Sequence, residues 1–242
     1  LQVQVFVDGT WLYYSFFART TRNCEIRSKL GAYWYRDYKV LWERIPVIVG
    51  RAIQEQLQAQ QQTDRFVEVY RTTVFSSLRQ DTDPESLRMR MFTQMQRLNF
   101  DVHLSVTTGL QEKCIDIALA VDMLHYATVP GAYVHFQCDE LPHIYRDKDF
   151  MPAMLRTREK GKRVGLCSMR NSCNRALLDP AAHTMDFGVI WLDDYFDELF
   201  EKQRGRMENS PMPADMLCEM VAGILEKHGS AMSSRLLGRE LQ

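Results

Sequence analysis

Short apolar blocks alternate along the chain with longer stretches whose apolar residues recur every three or four positions. The first block, QVQVFV at 2–7, alternates and then turns wholly apolar, as a buried strand does. Residues 10–18 read as a helix, with Thr10 as candidate N-cap. Residues 20–38 mix polar and aromatic residues without a period and read as an insertion or long loop. A helix is predicted at 46–62, ending in a glutamine-rich exposed stretch, and FVEVYRTTVF at 66–75 reads as a strand. Residues 83–100 form the next predicted helix, with Pro84 in its first turn, and DVHLSV at 101–106 the next strand. Helix at 112–127, strand at 133–138, helix at 150–160, strand at 162–168 and strand at 188–192 complete the pattern. Strands alternating with helices predict βαβ crossovers and a mostly parallel α/β sheet.

The texture changes at 204–214, where GRMENSPMPAD is polar and carries two prolines. This predicts a main domain at 1–203, a linker at 204–214 and a helical extension at 215–242. In the extension Leu217, Met220, Val221, Ile224 and Leu225 make one apolar stripe. Two short helices bury little alone, so they need the main domain, a partner or further chain to dock on.

A formal net charge of −1 excludes a global positive field, so any polyanion site must be a local patch. No apolar run reaches the roughly 18–20 residues that span a bilayer, which argues against membrane insertion. The six cysteines form no C-x-x-C pair, which fits free thiols in a reducing compartment, cytoplasmic or an organellar matrix or stroma.

In an open parallel sheet, sites form outside the carboxyl ends of the strands. Asp8 ends the first strand, Asp116 opens the helix at 112–127, Asp139 follows YVHFQC, and Asp147 and Asp149 precede the helix at 150–160. All are predicted at one rim. Each alone is an ordinary helix cap. Together they would repel unless a hard cation such as Mg²⁺ neutralised them, and that ion suits phosphodiester hydrolysis. The basic run Arg156, Arg158, Lys160, Lys162 and Arg163 is either a phosphate contact or a solvated helix face, while Arg146 and Lys148 lie nearer the rim in sequence. Trp11, Tyr13, Tyr14 and Tyr145 are candidates to stack on unpaired bases, with Trp11 and one tyrosine better suited to the core.

VFVDGTWLYYS, KCIDIALAVDML, DKDFMPAMLRTREKGKRVGL and VIWLDDYFDEL, in that order, resemble the NYN family of PIN-like nucleases over about residues 3–200. The resemblance implies a Rossmann-like α/β domain and a metal-dependent ribonuclease. Asp8 and Gly9 match its first motif, with Thr10 where Asn is usual. Lys113 and Asp116 match the opening of the middle helix, with Cys114 in place of Gly, and Asp122 fits further along. Asp122 lies about 120° around the helix from Asp116, which suits a supporting role. The third motif, Ser-Gly-Asp-x-Asp-Phe in the family, aligns in two ways. Either Asp139 is its first acid and an insertion separates it from Asp149, or Asp147 and Asp149 form the pair.

The resemblance implies Mg²⁺ or Mn²⁺ held by Asp8, Asp116, Asp139 and Asp149, with Asp147 as the alternative ligand. RNA contacts are expected from Thr10, Lys113, Arg146, Lys148 and Arg156. Two functions remain open: an endoribonuclease, and a degenerate NYN domain that binds RNA or scaffolds a larger complex. Protein partners are expected at the 20–38 insertion and at the C-terminal helices, which resemble the start of a LOTUS (OST-HTH) domain.

Overall fold

Six of the seven residues of the first strand are buried, which only a central strand covered on both faces achieves. The computed structural model describes residues 1–17, 25–32, 34–62, 66–107, 115–129, 150–203 and 221, and the backbone alone at 24 and 134–138. The elements are β1 (Gln2–Asp8), α1 (Gly9–Phe17), α2 (Cys24–Leu30), α3 (Trp34–Asp37), β2 (Tyr38–Val40), α4 (Arg44–Ala59), β3 (Glu68–Arg79) and α5 (Leu87–Arg97). There follow β4 (Asp101–Thr107), α6 (Ile115–Thr128), β5 (Val134–Cys138), α7 (Met151–Glu159), β6 (Arg163–Ser168), β7 (Ile190–Trp191), α8 (Phe196–Leu199) and β8 (Phe200–Lys202).

One parallel sheet of six strands runs in the order β4-β3-β1-β5-β6-β7. The order reverses direction beside β1, so the β1–β5 junction is the topological switch point, where a crevice opens beyond the carboxyl ends. The register sets Val7 against Cys138 on one side and Asp8 against Phe75 on the other.

Alternation along β1 sorts its side chains between two cores. Val3, Val5 and Val7 join the cluster built with α1, α4 and α5. Phe6 joins the opposite cluster with Ile115, Leu119 and Met123 of α6 and Ala153 and Met154 of α7. Asp8 extends the Phe6 row, at the sheet edge from which α6 departs.

Gly9 follows Asp8 for a steric reason. A Cβ there would lie 2.8 Å from a Phe92 ring carbon and 2.9 Å from a Val74 methyl. The β1–α1 turn is pressed into the core, and a side chain has no room.

The fold is the predicted α/β class, with four local corrections. The helix after β1 begins at Gly9 and its capping side chain is Asp8, not Thr10: Asp8 Oδ1 accepts from the Thr10 and Trp11 amides. The helix expected from Pro84 begins at Leu87, because the Ser86 hydroxyl caps the Met89 amide and Pro84 lies in the turn before it. β3 runs on through SSLR to Arg79, since Ser76 and Ser77 are buried against β4. The segment expected as a loop at 20–38 holds, among its described residues, α2, α3 and the start of β2, with Ile26 and Trp34 buried. Trp34 lacks a helical period because it fills a pocket made by elements far apart in the chain. Trp34 stacks on Phe17 and meets Phe200 edge-on. β2 pairs antiparallel with β8, a small second sheet that closes this aromatic end. The linker at 204–214 and the extension at 215–242 lie outside the described residues, apart from Val221.

Candidate active site

All six strands of the main sheet point one way, so every helix that follows a strand starts at the carboxyl edge. Asp8 stands at the centre of that edge. Its Oδ1 accepts from the Thr10 amide at 2.8 Å and from the Trp11 amide at 3.0 Å. The carboxylate therefore caps α1 and sits at the positive end of the helix dipole, a position that favours an anion. Asp8 is 7% exposed, so the surrounding core fixes its position.

The Thr10 hydroxyl reaches the neighbouring strand. Thr10 Oγ1 lies 3.0 Å from Ser76 Oγ of β3. Arg88, the second residue of α5, reaches over both: its Nη2 donates to Thr10 Oγ1 at 2.9 Å and to Ser76 Oγ at 3.1 Å. The Arg88 guanidinium also lies 5.4 Å from the Tyr13 ring centroid and 5.7 Å from that of Tyr14. Two hydroxyls and two aromatic faces thus hold a cation two residues along the chain from Asp8. Trp11, expected in the core, is fully buried, and Tyr13 nearly so.

Asp116 lies in the first turn of α6 and is exposed. It shares with Asp8 both the carboxyl edge and the α6–α7 side of the sheet. Asp122 is partly buried further along α6. Arg156 sits in the second half of α7, remote from the end that departs from the rim, and pairs with Glu159 at 2.6 Å. Of the rest of the basic run, Arg158 forks onto Asp186, Lys162 donates to the Val129 carbonyl, Arg163 donates to Gln62, and Lys160 is exposed. Lys113, Asp139, Tyr145, Arg146, Asp147, Lys148 and Asp149 lie outside the described residues.

Carboxylate oxygens are the hard donors that Mg²⁺ and Mn²⁺ take, so Asp8 and Asp116 fit such an ion chemically. Among the described residues no group of three or more His, Cys, Asp or Glu converges.

A second polar cluster lies beyond β6 and β7. Arg170 forks onto Asp194 with two bonds of 2.7 Å, and its amide donates to Asp193 Oδ2 at 2.9 Å. The Arg170 fork holds the Asp194 carboxyl below the usual carboxylate range. Glu25 of α2 is pushed up to about 7, first by its hydrogen bond with Asp193, then by burial and by the Asp193 charge. Nearby, Ser172 Oγ accepts the Trp11 indole N–H at 3.1 Å and lies 3.2 Å from Ser15 Oγ, tying the post-β6 loop to α1.

Arg88 and Ser76 carry no signal in the sequence pattern: a helix expected from residue 83 sets Arg88 in its second turn, and a strand expected to end at 75 leaves Ser76 beyond it, whereas the helix starts at Leu87 and the strand runs to Arg79. Glu25, Arg170 and Ser172 carry no such signal, since their neighbours are far away in sequence.

No curated protein matches the chain. A crystal structure of a protein of unknown function from Vibrio parahaemolyticus RIMD 2210633 is similar over 83% of this chain and 96% of that one, at 15% identity and a TM-score of 0.48. No described helix is long and apolar enough to cross a membrane. The NYN domain model matches residues 2–188, from β1 through the loop before β7, and with a match of that extent the chain belongs to the NYN domain family, a family of PIN-like nucleases.

Proposed function

We propose that the carboxyl edge of this sheet is a metal-dependent endoribonuclease site that hydrolyses RNA phosphodiester bonds. The observation that carries the reading is the position of Asp8: an acid locked by two backbone N–H groups at the end of the central strand, beside the switch point. Asp116 opens α6 at the same edge. With them the sequence offers Asp139 and Asp149, or Asp147 and Asp149, as further ligands of Mg²⁺ or Mn²⁺. A divalent ion supplies Lewis-acid polarisation of the phosphoryl group and charge neutralisation. Asp8, its near oxygen fixed by the cap, gives that ion an anchor that does not reorganise. Lys113, Arg146 and Lys148 are the proposed phosphate contacts, while Arg156, paired with Glu159, is the weakest of the set.

The test is cleavage of labelled single-stranded RNA by purified protein under Mn²⁺ titration, beside Asp8→Asn and Asp116→Asn. Metal-dependent cleavage that both substitutions abolish supports the enzyme.

A second reading, a domain that binds RNA without cutting it, draws on Arg88. A cation held on the Thr10 hydroxyl, where the family has Asn, changes the electrostatics of the first motif. Retention of intact RNA with no Mn²⁺-dependent cleavage selects this reading. The proposed protein contacts through 20–38 and the C-terminal extension belong to it. A chain that retains no RNA at low salt overturns both.

A further inference from the structure

We propose that His103 is a base-stacking contact for single-stranded RNA, its imidazole held flat on Phe75 in the same row of the sheet as Asp8. The inference rests on the RNA-directed reading of the site and names where on the fold a neighbouring nucleotide is held.

Register is the first argument. Asp8 of β1 stands opposite Phe75 of β3, and Phe75 stands opposite His103 of β4. Partners in a parallel ladder share a face, and Phe75 lies with Phe6 in the cluster beneath α6. The three residues therefore belong to one row on the α6 side of the sheet. Two strand spacings of about 4.8 Å set His103 roughly 10 Å from Asp8 along that row. That is too far to share a metal ion with Asp8, and it suits a base beside the phosphate that such an ion would bind.

Exposure and the holding group are the second argument. β4 is an edge strand, and α6 packs over β1 and β3. Val102 and Leu104 pack against the opposite cluster, while His103 and Ser105 stand exposed on the α6 side. The Phe75 ring, 2% exposed, has its centroid 5.0 Å from that of the imidazole and lies within 12° of parallel to it. Phe75 thus covers one face of the imidazole and fixes its plane, and the rest of the ring meets solvent. The His103 side chain makes no hydrogen bond or ion pair among the described residues, so the ring is not committed elsewhere. A ring already fixed in plane loses little freedom when an unpaired base stacks on it, and such a contact accepts any base. Ser105, two residues on and on the same face, offers a hydroxyl to ribose or phosphate.

A purely structural His103 would cover Phe75, which any apolar side chain can do, so the test separates a ring from a cover. The full chain is titrated against a fluorescent oligoadenylate in EDTA, which removes divalent metal, and anisotropy is read across a salt series. His103→Leu covers Phe75 without a π face; His103→Tyr restores one. Stacking predicts that His103→Leu weakens binding about tenfold at an unchanged slope of log K against log salt, and that His103→Tyr binds as the wild type does. A folded His103→Leu with wild-type affinity overturns the inference and leaves the nuclease reading standing. A slope lowered by about 0.7 in both variants assigns His103 to a phosphate and overturns stacking. A wild-type chain that retains no RNA at low salt overturns both. Should His103→Leu fail to fold, His103→Thr, a strand former without a ring, takes its place with the same expected loss.

Discussion

The Asp8 carboxylate accepts the Thr10 amide at 2.8 Å across the turn that joins the central strand to the first helix. The acid proposed to bind metal is therefore also a helix cap, and substitutions can separate the two roles. Asp8→Ala leaves two buried amides without an acceptor, at a cost of about 2 kcal/mol. For a chain of this size that lowers the melting temperature by roughly 4–8 °C. Asp8→Asn keeps an oxygen at the cap and melts within a few degrees of wild type. Loss of Mn²⁺-dependent cleavage in Asp8→Asn, with its melting temperature held, assigns the charge to chemistry and the oxygen to the fold.

Gly9→Ala is expected to cost more than its single methyl suggests. The new Cβ meets a Phe92 ring carbon at 2.8 Å and the Phe75 carbonyl at 3.1 Å, so ring and turn must both shift. Overpacking of this kind costs about 1–3 kcal/mol. Urea denaturation reads the loss, and a midpoint equal to wild type would show that the turn relaxes freely.

Period and run length made the sheet legible before any coordinates. QVQVFV reads as a buried strand because it alternates and then turns wholly apolar, and it is one. The carboxyl-edge rule then placed Asp8 and Asp116 at one rim from their positions in the sequence alone. What the pattern could not show depends on contacts between residues distant in the chain. Trp34 gives no period because its partners, Phe17 and Phe200, come from elements far apart in sequence. Arg88 looks like one more helix-surface cation until β3 brings Ser76 beside Thr10. Thr10 looked like a cap because threonine is a good one, yet the aspartate two residues earlier is a better acceptor and took the role.

Ser172→Ala tests how the loop after β6 is tied to the site. The Trp11 indole N–H is fully buried and donates to the Ser172 hydroxyl at 3.1 Å. Without that oxygen a buried donor loses its partner, which costs about 1–3 kcal/mol. Ser172→Thr keeps the oxygen but adds a methyl in a packed site. Calorimetry of the two variants should show Ser172→Ala destabilised, with a shift in Trp11 fluorescence that confirms the indole as the group affected.

Glu25 makes stability fall as the solution becomes less acidic. Its hydrogen bond with Asp193, then burial and the Asp193 charge, raise it from 4.5 to about 7 in the folded chain, against a smaller opposing pull from Arg170 and a further push from Asp194. A group raised on folding contributes stability that is complete below its unfolded value and is lost as pH climbs through the folded one. The loss therefore develops between about 4.5 and 7. Glu25 is only partly buried, so solvent screening limits the effect to the order of 1 kcal/mol. Asp194 and Glu198 are held low by Arg170 and Arg51, and their contributions disappear on the acid side, below their ordinary values. The two trends leave a maximum in mildly acidic solution, near about pH 5. Urea midpoints from about pH 5 to about pH 8 should fall for the wild type, and Glu25→Gln, which stays neutral and can still donate to Asp193, should flatten that fall. An unchanged slope in the variant would assign the pH response to another group.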